Sequence, residues 1–122
     1  MTTPIAPITH SGLVTALAKD GQDIIDSLTP LDAHLLHMVV GVSGESGELL
    51  DAIKKSVIYR KPICLENVIE ELGDLEFYIE GLRQALNISR KETIEHNIAK
   101  LTVRYGQKYS NTAAQERKDK SV

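Results

Sequence analysis

The chain has 122 residues, 42% hydrophobic and 25% charged, a composition that fits one soluble globular domain with a single modest core and sets disorder aside as the default. Its formal net charge of −3 excludes nucleic-acid binding through bulk positive charge, so an anionic ligand would need local help. The single cysteine, Cys64, excludes an intrachain disulfide and a thiolate metal cluster, and that usage is the one expected of a reducing, cytoplasmic protein.

The opening segment "MTTPIAPITH" has no basic region followed by an apolar run, and no stretch approaches the roughly 18 apolar residues of a membrane span. No membrane partner is expected. Tryptophan is absent beside one Phe and four Tyr, which leaves few rings for a base-stacking platform and no nucleic-acid partner in view. Residues 1–110 read as one domain, and the polar end "NTAAQERKDKSV", residues 111–122, as a tail.

The hydrophobic period is helical throughout, and four helices are predicted. The first spans Ser11 to Ser27, with Val14, Leu17, Ile24 and Leu28 on one stripe. "TPLD" announces the second, with Thr29 as cap, Pro30 in the first helical position and Asp32 as the capping acid. That helix runs to about Tyr59, where "RKP" breaks the pattern, because a residue before proline is disfavoured in helical conformation. The third runs from near Pro62 to Leu86, ending at Asn87. The fourth opens on the capping box "SRKE", Ser89 with Glu92, and stops at Gly106. Short connections favour an antiparallel four-helix bundle, so the predicted fold class is all-α.

On the second helix the core stripe is Leu35, Met38, Val42, Glu45, Leu49 and Ala52, which puts an acid in a core position. Glu48 flanks the stripe on the same side, and Gly41 shares that face, while Gly44 and Gly47 lie to its side and are assigned to close packing. On the third helix the stripe is Leu65, Val68, Leu72, Leu75, Ile79, Leu82 and Leu86. The neighbours Glu70 and Glu71 point apart: Glu70 lies opposite the stripe, Glu71 at its edge, and Asp74 extends that edge.

Two carboxylate pairs converging on a semi-buried region need cations to stay ionised, since otherwise their pKa values rise. An all-oxygen donor set suits Mg²⁺, or Mn²⁺ in its place, better than zinc. On the fourth helix Asn97, Lys100 and Arg104 border the stripe Ile94, Ile98, Leu101 and Tyr105, and could grip phosphate oxygens. Lys55, seven residues after Glu48, lies near the acidic face. His34 and His37 lack a third ligand and are set aside as a metal pair, and Cys64 reads as a small apolar residue. Phe77 projects almost opposite the stripe of its helix, where a second subunit would cover it, so a homo-oligomer is expected.

The stretches "GESGELLDAIKK", "EELGDLEFYI" and "NIAKLTVRY" together resemble the MazG-like all-α nucleoside triphosphate pyrophosphohydrolases, over about Leu35 to Tyr109. The signature is ExxE, a spacer, then ExxD: Glu45 and Glu48, 22 residues, then Glu71 and Asp74. The resemblance implies Mg²⁺-dependent hydrolysis of a nucleoside triphosphate between its α and β phosphates, giving a monophosphate and pyrophosphate. It makes Glu45, Glu48, Glu71 and Asp74 the metal ligands, with Glu45 or Glu48 also handling the attacking water. Lys55, Asn97, Lys100, Arg104 and Tyr105 would hold the phosphates and sugar, with Arg117 and Lys120 of the tail closing over them. A homodimer or homotetramer is implied as well.

The chain is a single short unit without tryptophan, so base preference stays open. The competing reading is a non-catalytic helical module that binds nucleotide or protein on the same fold. A di-iron carboxylate bundle would require Glu-x-x-His pairs, which neither motif supplies.

Overall fold

The computed structural model describes residues 7–106. The tail at 111–122, with Arg117 and Lys120, lies outside the described residues. Those residues form five α-helices and contain no strand, and the chain divides into two compact units, Met1–Ala33 and His34–Val122.

In the first unit the predicted helix from Ser11 to Ser27 is two helices, α1 (His10–Leu17) and α2 (Gly21–Ser27). The physical reason is local. Ala18 and Asp20 are extended, with ψ of 131° and 135°, and Asp20 starts a new helix immediately before Gly21. Thr9 caps α1 by accepting a hydrogen bond from the Gly12 N–H at 3.0 Å. Neither helix buries a side chain, and at eight and seven residues neither is long enough to be stable on propensity alone.

α3 (Pro30–Val57) begins as the sequence requires. The Thr29 N–H donates to Asp32 Oδ2 at 2.9 Å and the Asp32 N–H donates to Thr29 Oγ1 at 3.1 Å, a reciprocal cap. That bonding holds the Asp32 carboxyl below its ordinary value, because the charged form accepts the backbone hydrogen bond.

In the second unit α3 ends at Val57, two residues short of the expected Tyr59. The chain then reverses through Arg60, which takes a left-handed φ of 56°. Ser56 closes this reversal from both sides, its carbonyl accepting from the Lys61 N–H at 3.1 Å and its hydroxyl donating to the Lys61 carbonyl at 2.8 Å. Pro62 stays outside the next helix, so the predicted start is corrected from Pro62 to Leu65.

α4 (Leu65–Leu86) ends on Asn87 in left-handed conformation, with the Ile88 N–H donating to the Arg83 carbonyl at 2.9 Å. Cys64 sits exposed at its start. The box between Ser89 and Glu92 then opens α5 (Arg90–Tyr105), which stops at Gly106 with φ 64°.

Packing between α3 and α4 can be followed residue by residue. A Cβ built on Gly41 would run into the Tyr78 ring, and one built on Gly81 would run into Met38 Sδ. Carboxylate oxygens of Glu45 lie beside those of Glu71 and Asp74. Numbers rising along α3 therefore meet numbers falling along α4.

On α3 the expected stripe holds: Met38 and Ala52 are buried, and Leu35, Val42, Glu45 and Leu49 are half-buried. On α4 only part of it does. Val68, Leu75, Ile79 and Leu82 are half-buried, whereas Leu65, Leu72 and Leu86 are 64%, 45% and 47% exposed. Leu65 and Leu86 are the first and last residues of α4, with no further turn beyond to flank them. Ile94, Ile98 and Leu101 of the α5 stripe are exposed as well, and only Tyr105 of that stripe is half-buried.

Candidate metal centre

Three of the four expected carboxylates come together. Glu45 from α3 and Glu71 and Asp74 from α4 each offer an oxygen within 4.8 Å of the others. Glu45 reaches this position because it continues the inner stripe of α3 one turn beyond Gly41, where the missing side chain lets the Tyr78 ring of α4 approach. Glu71 and Asp74, three apart, present to the same side of α4. Glu70 is exposed while Glu71 is half-buried, the outcome the helical phase requires of adjacent residues.

The crowding has an electrostatic consequence. The Glu71 carboxyl is pushed above its ordinary value of 4.5, first by partial desolvation, then by the hydrogen bond and charge of Glu45, then by the charges of Glu48 and Asp74. A group in this state gains from a cation, which would replace repulsion among acids with attraction. The donor set is all oxygen, with Glu45 and Glu71 half-buried and Asp74 exposed, a chemistry that could hold a hard cation. Glu48 stands one turn from Glu45, is exposed, and lies outside the close triad while still contributing charge at Glu71.

Lys55 is exposed and paired with Asp51. Its ammonium lies 3.0 Å from Asp51 Oδ2, and that bond, with the charge of Asp51 and more weakly of Glu48, raises its pKa. Asp51 is not among the residues predicted for the site, although its place three residues after Glu48 and four before Lys55 is a signal the sequence carries.

On α5, Asn97 is exposed and Lys100 and Arg104 are half-buried, with the Arg104 guanidinium 5.6 Å from the centre of the Tyr105 ring. His34 and His37 join no cluster of metal-ligating groups among the described residues, and His37 instead meets Tyr78 edge-on at 6.1 Å.

Compared with protein-family models, curated proteins and solved structures, the chain matches none. No helix among the described residues is long and apolar enough to cross a membrane.

Proposed function

We propose that the chain is a divalent-metal-dependent hydrolase of nucleoside triphosphates, cleaving between the α and β phosphates to release pyrophosphate. The observation that carries this reading is the convergence of Glu45, Glu71 and Asp74 from two helices, with the Glu71 carboxyl pushed above its ordinary value by partial desolvation and by the neighbouring acids. Structural acids on a helix surface gain nothing from such crowding, whereas a cation site requires it.

The three clustered carboxylates would hold Mg²⁺, and the ion, when bound, supplies Lewis-acid neutralisation of charge on the phosphate oxygens. Glu48 closes the set from one turn further along α3 and accepts the proton of the attacking water. Lys55, steered by Asp51, Lys100 and Arg104 face the phosphate chain, with Asn97 and Tyr105 beside the sugar.

The working form is an antiparallel bundle assembled as a homo-oligomer. Support comes from how little the single chain encloses: Met38 and Ala52 are the only buried apolar residues among those described. On α3 a second stripe of Leu36, Val40, Leu50 and Val57, all more than half exposed, runs opposite the inner one. Gly44 and Gly47 lie between its two halves with no neighbour within 4 Å. A second copy crossing here would give those glycines the close contact that the chain by itself does not provide.

The deciding experiment measures pyrophosphate release from ordinary and modified nucleoside triphosphates with Mg²⁺ and with EDTA. Turnover that vanishes with EDTA is expected. Nucleotide binding without turnover would make the protein a non-catalytic nucleotide-binding module instead.

A further inference from the structure

Two helical turns from the carboxylates, α3 and α4 enclose a second feature, a cavity of about 380 Å³ lined by His34, Met38, Phe77, Glu80, Gly81 and Gln84. Its floor is made by a missing side chain, since Gly81 leaves the space into which Met38, 6% exposed, lays its sulfur. Phe77 stands on the rim 68% exposed, braced edge-on by Tyr78 with ring centres 5.2 Å apart and planes at 87°. Glu80, bridged to Arg83 at 3.2 Å, and the amide of Gln84 supply hydrogen-bonding groups at the edge, and His34 adds an imidazole.

The position is as informative as the lining. Met38 precedes Glu45 by two turns on α3, and Gly81 follows Asp74 by two turns on α4, an offset of about 10 Å along both axes. Both displacements run the same way, because numbers rise on one helix as they fall on the other. Triad and cavity thus both lie along the α3–α4 pair, with Gly41 and Tyr78 packed at the level between them.

We propose that this cavity receives the base of the nucleotide whose phosphates meet the carboxylates, with Phe77 stacking on the base and Met38 beneath it. The proposal rests on the reading given under Proposed function. A planar heteroaromatic ring calls for an apolar floor, an available aromatic face and a few polar groups at its edge, and the cavity offers all three about 10 Å along the helices from the carboxylates, a distance a ribose together with its phosphate chain can span. The exposure of Phe77 is explained as a stacking face left open until substrate arrives.

The test separates this site from the hydrolase reading. Full-length protein without metal is titrated with the four ribonucleosides while the Met38 methyl and Phe77 ring resonances are followed by NMR. At least one nucleoside is expected to shift both, and Phe77→Ala or Gly81→Ala, which pushes Met38 into the cavity, to abolish the Met38 shift. In kinetics, Phe77→Ala is expected to raise KM for nucleoside triphosphates about tenfold, the loss of one stacked base, while KM for ribose 5-triphosphate, which has no base, barely moves.

A nucleoside that shifts these resonances in a protein without turnover would keep the base site and sink the hydrolase. Turnover with no nucleoside shift, or an equal KM change on both substrates, would overturn the base site. A fall in assembly mass of Phe77→Ala by light scattering would likewise overturn it, assigning Phe77 to a subunit contact.

Discussion

The two faces of α3 are built from the same residue types and meet different surroundings. On the inner face Gly41 is covered by Tyr78, so its missing side chain is already used within one chain. On the outer face Gly44 and Gly47 meet nothing. Each glycine costs roughly 1 kcal/mol in helix propensity, and only the inner one returns that cost in a contact the single chain makes. The difference teaches that a helix can be completed by its own chain on one side and left open on the other.

The comparison breaks first, and hardest, on the acids. Glu71→Gln or Glu48→Gln is expected to cut pyrophosphate release by about a thousandfold or more, because the first removes a proposed ligand of the ion and the second the proposed acceptor of the water's proton. Glu70→Gln, on the far side of α4, should leave most of it. Equal loss at Glu70 in the same assay would show that the inner face has been wrongly phased.

Next in size is Gly41→Ala, which forces the Tyr78 ring to move. An overpacked contact of this kind costs about 1–3 kcal/mol, to be read as a lowered denaturation midpoint. Smaller, and sharper, are Gly44→Ala and Gly47→Ala. In a chain that works alone each would stabilise by about 1 kcal/mol. With a second copy crossing there, each lowers the thermal midpoint and makes it more dependent on protein concentration.

The smallest expected effects concern pH and have opposite signs in the two units. The raised pKa of Glu71 means that its contribution to stability is fully present below the ordinary value of 4.5 and is lost as pH rises through the folded value. Metal-free protein should therefore lose stability on that rise, and Mg²⁺ or Glu71→Gln should flatten the loss. The lowered pKa of Asp32 acts the other way: its contribution is present above 3.8 and is lost as pH falls through the folded value. Thermal midpoints of Glu71→Gln and Asp32→Asn across the acid range would separate the two.

What could be read in the sequence follows from how local each signal is. Both capping boxes, at Thr29 with Asp32 and at Ser89 with Glu92, formed where the residues placed them, since a cap needs only its own four residues. The break within the first helix was missed although Asp20 before Gly21 marks it, because the apolar spacing from Val14 to Leu28 bridges the gap. Phase separated Glu70 from Glu71 correctly, yet periodicity could not say that Leu65, Leu72 and Leu86 would stay exposed. Which element covers a face is set by packing across the chain or between chains. The cavity beside Phe77 was out of reach for the same reason, as Met38 and Gly81 stand far apart in sequence and meet only when α3 and α4 are paired.

The reversal at Ser56 and Lys61, with Arg60 left-handed between them, also sets an order of assembly. Every contact that joins α3 to α4 spans it, and the spans lengthen from Glu45 with Glu71, through Gly41 with Tyr78, to Met38 with Gly81. Short loops close before long ones, so the hairpin zips outward from this clasp and meets its mutually repelling acids before Gly41 and Tyr78. In that order the charges come together before the contacts of Gly41 with Tyr78 and Gly81 with Met38. Refolding of the metal-free chain, followed by stopped-flow, should accordingly slow as Glu71 ionises and, on the proposed reading, recover speed with Mg²⁺, so that a bound ion would act on folding as well as on substrate.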